Sequence, residues 1–477
     1  MRRSLLSRSG TIAIAAAVAL PAIPALTSRY GFSDDYSFLG YEQSAGELLR
    51  EVAGTHHRPL AGLLCVLGRE LVGNIDGLGW ARVFGLGGAI ALALAMRAAA
   101  RSAGYSERFA LALAIGVGLL PSVQLYVAWA TVAPCAWVSA ASVVASQQLV
   151  SSGASVSLAC RVRVVALLLV SGLYYQPAVG FFVVGLVLAL LSPQPRHEPR
   201  RLLERHASAL AAAVAGVLVW MAVARTTIDI DDNRTGIAQH PRRKMSWFLT
   251  EVLNNATNTF DITPSHIIEA IVLTAMTALI VVTARRKGVL VAVVLVAALP
   301  ITYAPNLIVE ETWAAYRTLA ALSALVLVFI LAAAREVAQF ATTKVSRPST
   351  RRRLDMGATL ALAVSGVIAG VVVATTMHRD LVRPQTRELA TFRSALRATY
   401  ADMPATIAVR QLAEPPSPPA RYDEFAIPSL AKEWVPVGIA HAVYRADGRD
   451  PDAQQVVRLG PGETVPAGAT LIEIAPP

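Results

Sequence analysis

The chain has 477 residues, of which 55% are hydrophobic and only 16% charged. So little charge, with several uncharged runs near twenty residues, excludes an ordinary soluble globular protein and indicates a polytopic α-helical membrane protein. The formal net charge of +11 does not call for a nucleic-acid partner, because the basic residues fall in short clusters between apolar runs, the pattern that orients membrane proteins.

Taken in order, Arg2, Arg3 and Arg8 precede an apolar run over about 10–27, the layout of a signal peptide. The many runs that follow favour an uncleaved first helix with its N-terminus in the cytoplasm. Residues 28–79 then form a first outer loop, carrying Asp34-Asp35, His56-His57-Arg58-Pro59 and a leucine stripe. That stripe (Leu60, Leu63, Leu64, Leu67, Leu71) recurs at helical spacing and is interrupted by Arg69 and Glu70, so 58–73 is expected to lie in the interface rather than to span.

Ten further spans are expected near 80–96, 109–127, 130–150, 163–177, 178–193, 207–224, 266–284, 288–305, 313–334 and 356–377, making about eleven in all. This register puts Arg97/Arg101/Arg108, Arg161/Arg163, Arg196–Arg205, Arg285–Lys287 and Arg335–Arg353 in the cytoplasm. Arg242-Arg243-Lys244 is the exception, in a long outer loop at 225–265. Beyond 377 the character changes. A helical pattern at 381–400, a strand-like Thr406-Ile-Ala-Val, a proline-rich linker at 415–419, a strand-like stretch from Trp434 to Tyr444 and a closing Thr470-Leu-Ile-Glu-Ile predict a small extracytoplasmic α/β domain over 378–477. The transmembrane domain is thus 1–377. The Ala, Val, Leu and Arg bias points to a bacterial inner membrane.

Two adjacent carboxylates beside a bilayer repel each other and are penalised by low dielectric, which can raise one pKa and create a general base. From spacing alone, the plainer reading of Asp34 and Asp35 is a pair of solvated or helix-capping acids. Arg242, Arg243 and Lys244 are candidates to hold a phosphate, since guanidinium forks match its oxygens, and binding to anionic lipid is the alternative. Arg58 and Arg317 stand beside outer boundaries and compete for that role. His56, His57, Tyr175, Gln176 and Glu310 are candidates for sugar or acceptor contacts. An aromatic belt and solvated polar residues account for the same pattern. Asp229, Asp231 and Asp232 lack EF-hand spacing. Cys65, Cys135 and Cys160 form neither metal-ligand spacing nor a disulfide framework.

The first span with an acidic pair soon after it, the interfacial helices, the many further spans and the outer C-terminal domain resemble the GT-C glycosyltransferase superfamily. Phe32-Ser33-Asp34-Asp35-Tyr36, Arg58-Pro59-Leu60 and Tyr175-Gln176-Pro177 look most like the Gtr-type O-antigen glucosyltransferases. The resemblance implies a GT-C-like membrane fold and transfer of a sugar, with inversion, from a polyprenyl-phosphate donor to an outer-face glycan or lipid. It implies that Asp34 or Asp35 is the base, without choosing between them. The sequence requires no cofactor; some GT-C relatives use a divalent cation near the acidic residues, and no metal-ligand set is visible here. A transporter or flippase of lipid-linked glycans, and an O-antigen polymerase or ligase, are the rival functions. Transporters usually place ionisable groups at mid-membrane, whereas polar residues here crowd the outer boundaries.

Overall fold

The computed structural model describes residues 2–40, 44–153, 155–194, 197–227, 236–258, 260, 265–343, 348–402, 404–413, 424–425, 427–450 and 454–474. Asp229, Asp231, Asp232 and the proline-rich linker at 415–419 lie outside them. Five helical stretches among the described residues are long and apolar enough to cross a membrane: Arg8–Thr27, Ile75–Ser102, Pro199–Thr227, His266–Lys287 and Tyr316–Thr342. A sixth arises if Glu107–Leu119 and Pro121–Ala128, bent by 52°, count as one span. Length and apolarity therefore do not reach the expected eleven. Helices do stand at the other expected positions, but Cys135–Ser151, Leu158–Tyr174, Gly180–Leu190 and Val289–Thr302 run for only 17, 17, 11 and 14 residues. Pro134, Pro177 and Gly288 mark the breaks between these runs. At the bend, Pro121 has no N–H to give, and the Gln124 amide donates to Gly118 O at 2.7 Å and Val18 O at 3.1 Å. The carbonyl freed by the break is thereby satisfied without water, as helix breaks at membrane depth require.

The bundle has two chemically distinct ends. At one, Glu107 binds Arg97 at 2.5 Å and Arg101 at 3.3 Å, and Lys287 donates to the carbonyls of Leu190 and Ser192. Arg335 lies over the Tyr105 ring at 5.2 Å, and Arg205 donates to Gly153 O. These belong to the basic clusters read from the sequence as cytoplasmic. A small cavity lined by Ser192, His197 and Leu202 also lies there. The opposite end carries the first outer loop and the C-terminal residues. Helix Pro59–Val72 stands where an interface-lying helix was expected. It buries only Ala61, Gly62 and Arg69 and turns Leu63, Leu67 and Leu71 outward, Leu71 being 86% exposed.

The C-terminal residues build a three-stranded parallel sheet of β1 (Thr406–Arg410), β2 (Gln455–Leu459) and β3 (Ala469–Ile472), in the order β2-β1-β3. Thr406 stands opposite Gln455 on one side and Ala469 on the other. The stretch read as a strand from Trp434 to Tyr444 is instead helix Val435–Ala446. Pro436 lies in its first turn, where the missing N–H costs nothing, and Val435, Ile439, Ala442 and Val443 put the buried side chains on a helical period. This helix packs on the acidic loop itself. Tyr36, Leu39, Ile75 and Leu78 share one core with Leu389, Phe392, Ile407, Ile439 and Val443. A Cβ on Gly438 would stand 2.8 Å from the Tyr36 carbonyl carbon and oxygen, which as backbone atoms cannot move aside. Gly438→Ala should therefore lower stability by about 1–3 kcal/mol, read as a lower Tm of the detergent-solubilised protein.

Candidate functional site

The acidic pair opens helix Asp34–Gly40. Ser33, just before it, adopts φ +47°, the left-handed region that non-glycine residues rarely occupy. Its N–H donates to Ser429 Oγ at 2.9 Å, Ser429 Oγ donates to Gln385 Oε1 at 2.6 Å, and the Ser429 and Leu430 N–H groups donate to the Glu388 carboxylate. The C-terminal residues thus hold the loop in a conformation it would not keep alone.

Burial pushes the Glu388 carboxyl up to about 7, against the two backbone N–H groups that favour its charge. Its folded pKa is raised above the unfolded one, so its contribution is fully present below about pH 4.5 and is lost as pH rises towards 7. The loss amounts to about 3 kcal/mol at 1.36 kcal/mol per pH unit. Tm should fall across that window, and Glu388→Gln should flatten the dependence.

The two aspartates have different surroundings. Asp35 is fully buried and accepts three hydrogen bonds: from Phe32 N at 3.1 Å, Thr131 N at 2.8 Å and Thr131 Oγ1 at 2.6 Å. Burial raises its carboxyl above the ordinary value; Arg82 and the Thr131 and Phe32 donors oppose this. Arg82, 1% exposed, donates to the carbonyls of Ala25, Ser28, Tyr30 and Ala128 and lies 3.6 Å from the Tyr30 ring centre. Asp34 is half-buried, accepting from Ser33 Oγ at 3.2 Å and from the Trp434 indole N–H at 3.1 Å. Asp35 is thus a coordinated interior group, while Asp34 faces the rim.

The other candidates come together in part. Arg58 donates to Gln176 Oε1 at 3.0 Å and lies over the Tyr175 ring at 5.1 Å, and Gln176 donates back to His57 O at 3.4 Å. The Tyr175 and Tyr126 rings meet edge-on, and the Tyr126 hydroxyl donates to Arg317 O at 2.7 Å. The Arg317 guanidinium sits between the Trp129 and Trp313 rings, 4.5 and 4.7 Å from their centres, and donates to Glu424 at 3.3 Å. Trp129 in turn packs edge-on against Phe32, two residues before Asp34. His57 is buried at φ +53° beside Arg58, and His56 is half-buried.

Lys244 points elsewhere. Its ammonium donates to the carbonyls of Asn306 and Glu311 and lies 4.6 Å from the Trp247 ring, so it ties helix Pro241–Trp247 to the 306–311 turn. Arg242 and Arg243 are exposed on that helix. Glu310 belongs to the same corner, where its N–H donates to Gly236 O. This corner adjoins the Arg317 segment through Tyr303, which meets Trp247 and bonds Thr318. No group of three or more His, Cys, Asp or Glu that could hold a metal ion occurs among the described residues.

No family model and no curated protein matches the chain. Among solved structures it is similar to the oligosaccharyltransferase of Archaeoglobus fulgidus. With zinc and sulfate bound, that structure aligns over 92% of this chain with 11% identity and a TM-score of 0.45. Its complex with an inhibitory peptide and a dolichol-phosphate aligns over 84% with 11% identity and a TM-score of 0.40, and its apo form over 83% with 13% identity and a TM-score of 0.41. In each case this chain spans 62% of the other. At such scores the chemistry has to be argued from this chain's own residues.

Arg82, Thr131, Glu424 and Trp434 belong to this neighbourhood without having been singled out in the sequence. Arg82 had a legible signal, a lone charge within an expected span. Trp434 had none, being 400 residues from its partner.

Proposed function

We propose that the protein is a membrane glycosyltransferase that moves a sugar from a polyprenyl-phosphate donor to an outer-face glycan or lipid. The observation that supports this most is the gathering, at one end of the bundle, of a rim-facing aspartate and two anchored arginines, Asp34 and Arg58 from the first outer loop and Arg317 from far along the chain. A donor of this class already has a good leaving group. The reaction then needs a base for the acceptor hydroxyl and cations for the departing phosphate. Asp34 suits the first role because it is accessible and not saturated with donors. Asp35 suits a structural one, holding the loop through Thr131 and balancing Arg82. Arg58 and Arg317, each braced by an aromatic ring and a hydrogen-bonded partner, suit the phosphate. Gln176 and Tyr175 set the orientation of Arg58. Arg242 and Arg243, exposed near the Arg317 segment, are the reserve phosphate contacts. A base on one side of the sugar and the phosphate on the other favour inversion.

The orientation that places basic clusters in the cytoplasm puts this end outside, in a bacterial cytoplasmic membrane, with 378–477 as an outer domain. The carrier alternative has less behind it: buried Ser139, Ser171 and Thr302 within the bundle bond to nearby backbone carbonyls. Comparing cell-envelope glycans and glycolipids with and without the protein tests the proposal. A saccharide lost on deletion and restored by the wild-type gene is the expected result; an unchanged envelope would count against transferase action.

A further inference from the structure

Asp34 is held by a residue from the far end of the chain. The Trp434 indole N–H donates to Asp34 Oδ1 at 3.1 Å. The backbone around Trp434 is fixed to the same loop: Ser37 Oγ donates to Trp434 O at 3.2 Å, and Gly438, one turn on, abuts the Tyr36 backbone. Trp434 is itself 40% exposed and lies outside the buried core that Tyr36 shares with Ile439 and Val443. The same C-terminal region reaches the site a second time through Glu424. That carboxylate accepts from Tyr316 N at 3.0 Å and from Arg317 at 3.3 Å. Both groups proposed to do chemistry are thus gripped from one side by residues beyond the last span.

We propose that Trp434 is a positioning residue for Asp34, aiming its carboxylate at the acceptor hydroxyl. The inference rests on the transferase reading and on Asp34 as base. A neutral N–H donor suits this task. Together with Ser33 Oγ it fixes Oδ1 and leaves the other oxygen free to receive the proton. A lysine or arginine there would neutralise the base outright. Only one carboxylate oxygen is fixed, so the second has a defined direction, which is the geometric condition for efficient proton transfer.

The test is Trp434→Phe in the full-length protein, which keeps a ring in place and removes the N–H. Two measurements separate this inference from the function on which it rests. The first is the tryptophan emission of residue 434 in detergent, as the difference between wild type and Trp434→Phe. A shift of that difference signal when Asp34→Ala is introduced is expected, and a difference signal indifferent to Asp34→Ala overturns the contact. The second is transfer from polyprenyl-phosphate glucose as probe in reconstituted vesicles. Trp434→Phe should lower kcat about 10-fold with donor KM unchanged. Wild-type kcat in Trp434→Phe overturns positioning while leaving the transferase reading intact. Wild type inert towards glucose and other polyprenyl-phosphate sugars, with the emission shift present, overturns the reaction and leaves the contact standing.

Discussion

Asp34→Asn is expected to cut sugar transfer by about 10²–10⁴-fold while the protein still inserts and melts near the wild-type temperature. The magnitude is that of losing a general base. The preserved fold follows from the surroundings of the side chain, which is half-buried and bonded to Ser33 Oγ and the Trp434 indole, contacts that an amide oxygen can also accept. Asp35→Asn should behave in the opposite way. It disturbs a fully buried acceptor of three hydrogen bonds, so its first effect is on stability and accumulation. Measuring surface glycan modification alongside Tm for both variants separates the two roles. Full transfer by Asp34→Asn together with a well-folded but inactive Asp35→Asn would exchange them.

The second large effect is expected at Arg82. Arg82→Met keeps the aliphatic volume but strips donors from the carbonyls of Ala25, Ser28, Tyr30 and Ala128, and it leaves Asp35 without its opposing charge. Removing one side of a buried charge arrangement costs about 3–5 kcal/mol. Arg82→Lys should recover little, because a compact ammonium with three donors cannot reach four carbonyls spread around a planar guanidinium. Adding Asp35→Asn to Arg82→Met removes the uncompensated carboxylate. The double variant should therefore melt higher than the sum of the single losses implies, a coupling that a thermal-unfolding cycle measures directly.

The positions of the helices, Pro59–Val72 among them, were legible because they rest on local signals: runs without charge, leucines at helical spacing, prolines at the breaks. The expected count of eleven spans was not met, since five or six of the described helical stretches are long and apolar enough to cross. Arg58 and Gln176 were legible as separate candidates, since each stands beside an apolar run. Their pairing was not, because nothing in a linear chain says that residues 58 and 176 share a hydrogen bond. Lys244 shows the limit in another form. A basic triplet in an outer loop reads as one patch, yet in the folded chain its third member is turned inward onto backbone carbonyls while the first two remain outside. The stretch from Trp434 to Tyr444 misled for a physical reason as well. Its small and apolar residues fit both periods, and the helix is the form that buries Val435, Ile439, Ala442 and Val443 in one core with Tyr36. The contact of Asp35 with Thr131, which sets the surroundings of the two aspartates apart, spans 96 positions.

The hydrogen bond from Ser33 to Ser429 closes a separation of 396 residues, and that distance is also a delay. At about 5–20 residues per second of synthesis, the acidic loop leaves the ribosome roughly 20–80 s before its clamp exists. Throughout that interval the loop lacks its clamp, so a product truncated before residue 429 would carry Ser33 without the partner that holds its left-handed backbone.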